Sequence, residues 1–504
     1  MQLSFKGVSF EYQGSSSPLL KDLTVHFPSG WTGIVGANGA GKTTILRLAC
    51  GKLISQEGHI QIPGDAIYCP QRTDDIPEGL KYYLKATDRK AFRLRGQLGI
   101  EDDWIDRWDS LSQGERKRAQ IALALWKMPS VIALDEPTNH IDYETQCLLD
   151  SSLRSFTGVA LLVSHNRELL DSLCGQCLFV EPPEAIMRRG GYSKASFQAK
   201  MEEEAMRRSY DSAKRELSRI RGEAVRRKQT AARAQRKRSK RGLALKDSDA
   251  KTEIDMARLT GKDGQAGRLV RQMEGRSRIA QKKLGEIKVK KRYQLGIWLP
   301  GSRSKRNLLF HLRPGRVALG PGRNLSFPEL SMDATDRIAL TGPNGAGKST
   351  LVRYILNHLN LKEEHLIYLP QEIDLQTSRA LISEVRSLSD EMLGHLMTII
   401  SRLGSRPQRL IDSIEPSPGE ARKLLLALGM TGRPLLIIMD EPTNHLDLPS
   451  IECFEDALAD CPCGLLLVSH DMLFLKHLTT TRWHISAEEM DPKGRNMNLN
   501  RTIW

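Results

Sequence analysis

Two stretches of this chain place a lysine at the end of a glycine-rich loop. GANGAGKTT (36–44) and GPNGAGKST (342–350) both fit the pattern G-x-x-x-x-G-K-[ST]. Glycines let successive backbone N–H groups turn toward phosphate, and a helix starting at the lysine adds positive potential there. Lys42 would reach the outer phosphates of a nucleotide, and Thr43 would offer a hydroxyl to Mg²⁺; Lys348 and Ser349 repeat the pair. Gly36, Asn38, Gly39, Gly41 and Thr44 complete the first loop, and Gly342, Asn344, Gly345, Gly347 and Thr350 the second. Two apolar runs, VIALDE and LLIIMDE, end in paired acids, Asp135–Glu136 and Asp440–Glu441. Each Asp could hold Mg²⁺ through water. Each Glu, aimed elsewhere by strand alternation, could orient or deprotonate an attacking water. His165 and His470, each behind an apolar run, could contact the last phosphate.

The elements that must position these residues occur twice. YCPQ (68–71) matches YLPQ (368–371), LSQGERK (111–117) matches PSPGEAR (416–422), and LLVSHN (161–166) matches LLLVSHD (465–471). ALDEPTNHID (133–142) and IMDEPTNHLD (438–447) share a turn with Asn-His after the acids. The loop lysines lie 306 positions apart and the histidines 305, so both halves keep one internal spacing. Short β-rich runs alternate with helical stretches, and QGERKRAQIALALWK reads as a helix with a basic face opposite its apolar one. This predicts an α/β fold with a largely parallel sheet in each half.

The order of glycine-rich loop, Gln, LSQGE, acid pair and His resembles an ATP-binding cassette ATPase. The resemblance implies a head-to-tail sandwich binding ATP and Mg²⁺. The Lys42 site would use the signature residues Ser417, Gly419 and Glu420 of the other half. The Lys348 site would use Ser112, Gln113, Gly114 and Glu115. Gln71 and Gln371 correspond to the family's Mg²⁺-contacting glutamines, and Tyr12 in VSFEYQG to the aromatic that stacks on adenine; the second half shows no aromatic counterpart. DEPTNH-[IL]-D resembles the ABC-F branch, in which two soluble cassettes share one chain with a charged helical linker between them. One departure is PSPGE, where Pro418 removes a backbone N–H near the phosphate site and predicts slower turnover at the Lys42 site.

The halves are predicted as cassettes at 1–198 and 294–490, with a linker at 199–293 and a C-terminal tail at 491–504. Charge singles out the linker. The chain carries +15, and the stretch 201–292 has 29 Lys+Arg against 13 Asp+Glu, while the rest has 46 against 47. The segments from about 196 to 240 and 267 to 291 read as helices, a hairpin with an irregular tip reaching roughly 60 Å at 1.5 Å per residue. Like charges along such arms repel unless a polyanion neutralises them. In the ABC-F family the linker enters the ribosome at the tRNA exit site and approaches the peptidyl-transferase region. Arg233, Arg236, Lys237, Arg238, Lys240 and Arg241 would then meet RNA phosphate, and Leu243 and Leu245 would wedge against bases or a tRNA end.

The reading is a cytoplasmic, ATP-dependent ribosome-binding ATPase, monomeric, with its cassettes paired within the chain. No apolar run is long enough to span a bilayer, and MQLSFKGVSF lacks the pattern of a signal peptide. The eight cysteines have no metal-binding spacing. The short interval from Gln71 to Leu111 and the little chain beyond the second cassette lean toward ribosome protection over a housekeeping translation factor. Other classes stay open: the ATPase subunit of a transporter, a DNA-acting cassette ATPase, or an idle binding module.

Overall fold

Each half of the chain folds around its own sheet, and the most buried strands are the apolar runs. The computed structural model describes residues 2–14, 18–139, 141–237, 262–287, 308–405, 416–432, 434–444, 446–487 and 496–504, with backbone only at 230–237, 262–268 and 270. The first half contributes β1 (Gln2–Phe10), β2 (Leu20–Pro28), β3 (Gly30–Gly36), β4 (Glu57–Gln61), β5 (Ala66–Cys69), β6 (Val131–Asp135), β7 (Val159–Val163), β8 (Cys174–Glu181) and β9 (Glu184–Arg189). A six-stranded sheet runs β5-β6-β7-β3-β8-β9 beside an antiparallel trio β2-β1-β4. Its pairs are parallel except β8 with β9.

The second half contributes β10 (Leu308–Leu312), β11 (Gly315–Gly320), β12 (Arg323–Phe327), β13 (Leu330–Asp333), β14 (Arg337–Thr341), β15 (Leu366–Leu369), β16 (Leu436–Asp440), β17 (Gly464–Val468), β18 (Thr481–Ala487) and β19 (Asn496–Ile503). An eight-stranded sheet runs β11-β12-β19-β18-β14-β17-β16-β15, and β10 pairs with β13. The end of the chain, expected as a tail, therefore includes a strand. β19 pairs antiparallel with β18 and parallel with β12, and its inward Met497 and Leu499 are buried.

Alternation along a fully buried strand shows why both faces are covered. Val131 and Ala133 of β6 enter one core layer, with Leu3, Phe5 and Ile45. Ile132 and Leu134 enter the other, with Leu123, Leu149 and Leu162. Each large aliphatic side chain buried this way contributes about 1.5–3 kcal/mol. Because β3, β6 and β7 are parallel, their C-terminal ends lie side by side and deliver the glycine loop, the acid pair and the histidine to one edge. β14, β16 and β17 do the same in the second half.

The segment Ser196–Arg292 forms a compact unit of its own, while residues up to Ala195 and from Tyr293 form the other. Its described parts belong to two helices, Tyr192–Lys237 and Lys262–Glu286. Ala213, Leu217, Ile220 and Met273 are buried in it, Arg221 donates to Gln281 Oε1 at 3.1 Å, and most other described side chains are exposed. Among the described residues, no helix is long and apolar enough to cross a membrane.

Candidate nucleotide sites

The two glycine loops close in the same way. Gly41 and Gly347 cap the helices Lys42–Ala49 and Lys348–His358 in the left-handed region, at φ 96° and 98°, where a side chain would be strained. Gly36 and Gly342 are needed for a different reason: a Cβ there would come within 2.5 Å of Val180 O and 2.7 Å of Ile485 O. Lys42 Nζ donates to the carbonyls of Gly36 (2.9 Å) and Ala37 (3.1 Å), and Lys348 Nζ to those of Gly342 (2.9 Å) and Pro343 (3.1 Å). Burial lowers the pKa of both lysines, and the neighbouring carboxylates oppose that shift.

Thr43 Oγ1 donates to Asp135 Oδ2 at 2.8 Å, and the Tyr68 hydroxyl donates to the same oxygen at 3.1 Å. The Ser349 side chain hydrogen-bonds Asp440 likewise. Gln71 lines the cavity that holds Lys42, Thr43 and Asp135, and Gln371 the one that holds Lys348, Ser349 and Asp440. These are hard oxygen donors, too few for a protein-only cage, which suits Mg²⁺ held jointly with substrate phosphates. Thr43, Gln71 and Asp135 would hold the ion in one site and Ser349, Gln371 and Asp440 in the other; when bound, it neutralises phosphate charge.

Glu136 and Glu441 do not simply continue the strand alternation. Both sit at positive φ, 48° and 51°, a strained conformation for a residue with a side chain. The left-handed turn swings each carboxyl back into the site. There Glu136 Oε2 accepts from the backbone N–H of His165 at 3.1 Å, and Glu441 Oε2 from that of His470 at 3.4 Å. The other oxygen, Oε1, is buried without a hydrogen-bond partner in both. Burial pushes Glu136 up to about 7 and Glu441 up to about 8, against the pull of Lys42 and Lys348. Burial lowers His165 to about 3 and His470 to about 4, helped by the same lysines. His165 Nε2 lies 3.1 Å from Glu136 Oε1, but with the ring neutral this is a close polar contact and not an ion pair. A buried carboxyl with a free oxygen and a pKa near neutrality suits a general base acting on water.

Both signature segments start helices, Gln113–Lys127 and Pro418–Thr431. Ser112 caps the first and bonds reciprocally with Glu115, as Ser417 does with Glu420 in the second. Gln113 Nε2 donates to Asp74 Oδ1 at 3.2 Å. Pro418 takes the first helical position, where its fixed φ fits and its missing N–H would be unpaired anyway, so the helix start is intact.

The cassettes meet head to tail at the Lys42 loop. Ala37, Asn38, Gly39 and Ala40 share a cavity of about 420 Å³ with Ser417, Gly419 and Glu420. At the Lys348 loop the cavity, about 580 Å³, is lined from the first cassette by Thr138, Asn139, His165 and Asn166, and not by Ser112 or Gly114. The first cassette also reaches this loop through Asp142, whose Oδ2 accepts from the Asn344 N–H at 3.3 Å. Tyr12 lies beside the Lys42 loop: its hydroxyl is 3.0 Å from Thr44 Oγ1, and its ring packs edge-on to Phe10.

Sequence reading missed one pair. Lys117 and Arg422 hold the same place in the two signature helices and both are buried, although the sequence predicts a basic face for the helix that carries Lys117. Lys117 Nζ donates to Asp135 O at 3.1 Å and Gln71 O at 3.4 Å. Arg422 donates to Glu441 O at 3.1 Å and also to Asn444 O and Gln371 O. Each cation ties its signature helix to its own Gln loop and acid pair. The one sequence signal was a basic residue at the same offset after both signature serines.

The linker residues Arg233, Arg236 and Lys237 lie on the helix Tyr192–Lys237 with their side chains outside the described residues; Arg238, Lys240, Arg241, Leu243 and Leu245 lie outside them altogether.

The ABC transporter family model matches residues 20–139 and 325–444, one match per cassette. The ribosome protection protein VmlR of Bacillus subtilis (strain 168) is 26% identical over 480 residues, covering 90% of this chain and 81% of its own length. The ATP-binding protein Uup of Caulobacter vibrioides is 28% identical, covering 92% and 72%. The energy-dependent translational throttle protein EttA of Escherichia coli (strain K12) is 25% identical, covering 92% and 88%. Among solved structures, an RNase-L inhibitor aligns with a TM-score of 0.62 at 18% identity, covering 98% of this chain and 90% of that one. That likeness supports the fold.

Proposed function

As this chain is a tandem ATP-binding cassette ATPase of the ABC-F type, we propose that it binds ribosomes in its ATP state and leaves them after hydrolysis. Two ATP would close the cassettes, Glu136 and Glu441 activating water with His165 and His470 beside the last phosphate. Closure would set the pose of the basic linker at the tRNA exit and peptidyl-transferase region, where Arg233, Arg236, Lys237, Arg238, Lys240 and Arg241 neutralise RNA phosphate and Leu243 and Leu245 meet bases. The outcome is ribosome protection, by displacing an antibiotic or relieving a stall.

The observation that carries this reading is the confinement of the excess positive charge to one unit between two complete ATPase cassettes. The names of VmlR and EttA support a ribosomal partner. EttA's name also supports a second reading, a factor that tunes translation without a drug.

Co-sedimentation of the Glu136→Gln, Glu441→Gln double variant with ribosomes tests the proposal. Retention with ATP, absent with ADP and weakened by salt, is expected. Failure to bind ribosomes in any nucleotide state sinks it. Drug susceptibility of cells expressing the wild type then separates protection from translational tuning.

A further inference from the structure

The two nucleotide sites differ in the hairpin that precedes each glycine loop. In the first cassette β1 and β2 are separated by residues 11–19, which carry Tyr12. In the second, the hairpin of β11 and β12 is cut to a two-residue turn, with Gly320 paired to Arg323. Gly322 sits in that turn at φ 69°, a left-handed position. No loop remains to hold a ring. The first residue after the turn is Arg323, whose Nη2 donates to Gly345 O in the glycine loop at 3.1 Å. Arg323 and Leu319 line the same cavity as Lys348, Ser349 and Thr350. Leu319 fills the space beside Gly347, where a Cβ would meet its side chain.

We propose that Arg323 receives the purine base of the nucleotide in the second site, doing there what an aromatic ring would do. A guanidinium is planar, delocalised and weakly hydrated, so it stacks on an aromatic face where an ammonium would stay in water. Its anchor is a loop carbonyl. Arg323 is thus held against the glycine loop by the loop's own backbone and opens onto the cavity that contains Lys348. Leu319 gives the base an apolar edge. The inference rests on the Lys348 loop being a nucleotide site.

The test uses the full chain carrying Lys42→Ala, so that binding reports on the Lys348 loop. A fluorescent ATP analogue is displaced by ATP and, separately, by inorganic tripolyphosphate. Arg323→Ala is expected to weaken ATP by about 2- to 30-fold, the range of a guanidinium–aromatic contact. Tripolyphosphate should compete as before, and Arg323→Tyr should restore ATP. Arg323 is half-buried, so the apparent Tm of each variant is measured alongside and is expected to stay close to that of the parent. An equal loss for ATP and tripolyphosphate would make Arg323 a phosphate ligand and overturn the inference, as would no loss at all. Lys348→Ala in the same background is the control. If the analogue still binds, the loop is not the nucleotide site, and this inference falls with that reading; if the analogue is lost while Arg323→Ala is silent, only the inference falls.

Discussion

The backbone N–H of Asn38 donates to Asp447 Oδ2 at 2.7 Å, across the boundary between the cassettes. The mirror bond, from Asn344 N–H to Asp142 Oδ2, is 3.3 Å. Each aspartate ends an NH-[IL]-D turn and also caps the helix that follows, through Ser450 N–H at 2.9 Å and Thr145 N–H at 3.0 Å. The doubled DEPTNH turn thus carries the acid pair of its own site at one end and reaches the opposite glycine loop with the other. Burial pushes the Asp447 carboxyl up, but the hydrogen bonds from Ser450 and Asn38 outweigh it and leave it below the usual range.

Asp447→Ala should therefore slow hydrolysis at the Lys42 site more than Asp142→Ala slows it at the Lys348 site. A hydrogen bond to a charged group contributes about 1.5–3 kcal/mol, roughly 10- to 100-fold in rate if it is needed for closure. Turnover in the Glu441→Gln background isolates the first site and in Glu136→Gln the second. Equal losses would mean that the difference in bond length has no functional weight.

The pH profile of kcat/KM should follow the buried glutamates. With a general base, the active form is deprotonated, so rate rises with pH through the pKa of the free enzyme. That places the rising limb near pH 7 to 8, from Glu136 at about 7 and Glu441 at about 8. His165 and His470, held near 3 and 4, add no limb in the neutral range. The stability contribution has the opposite sign. A carboxyl raised on folding binds its proton more tightly in the native state, so its stabilisation is lost as pH climbs from the unfolded value near 4.3 toward 7 or 8. A rising limb near pH 4 to 5 would show the glutamates to be ordinary carboxylates.

Lys117 and Arg422 should matter for rate beyond their effect on folding. Replacing Lys117 with Met leaves the carbonyls of Asp135 and Gln71 without their donor, and each buried polar group so stranded costs about 1–3 kcal/mol. The apparent Tm should fall. If the cation also holds the Gln loop in register with the signature helix, Lys117→Arg should restore Tm and KM while kcat stays below wild type, since a guanidinium cannot reproduce the ammonium's position. Full recovery of kcat in Lys117→Arg would reduce the pair to a structural role.

The fold was legible where chemistry demands a residue type at a fixed spacing. The glycine loops, acid pairs, glutamines and histidines all arrive at the C-terminal edge of parallel strands, as apolar runs ending in polar residues imply. What stayed hidden depended on tertiary surroundings. Glu136 and Glu441 reach the site by a left-handed turn, which no local pattern announces at a glutamate. Lys117 and Arg422 are basic residues on helices, and only the carbonyls packed above them make their burial tolerable. The last strand, Asn496–Ile503, alternates weakly and is fixed by its neighbours β18 and β12.

Arg167 offers a test of what holds the cassettes together. It lies two residues after His165 and bonds both carboxylate oxygens of Glu455 in the second cassette, at 2.8 Å from Nη1 to Oε2, with Asp471 at 3.4 Å. The arrangement is one-sided, because the matching position in the second cassette is Met472. Its side chain and that of Glu455 are only 11% and 8% exposed, so the pair is desolvated. Removing one member of such a pair strands a buried charge and costs about 3–5 kcal/mol, whereas replacing both with apolar groups of similar size is often neutral. Arg167→Met alone should lower the apparent Tm by several degrees, and adding Glu455→Leu should recover most of it. ATPase activity should then separate the roles. If the pair only fills space, the double variant should match wild type in kcat and KM. If it keeps His165 and its neighbours registered on the second cassette, the double variant should regain stability and still turn over slowly. A double variant no more stable than the single one would show that the ion pair itself, and not the stranded charge, accounts for the loss.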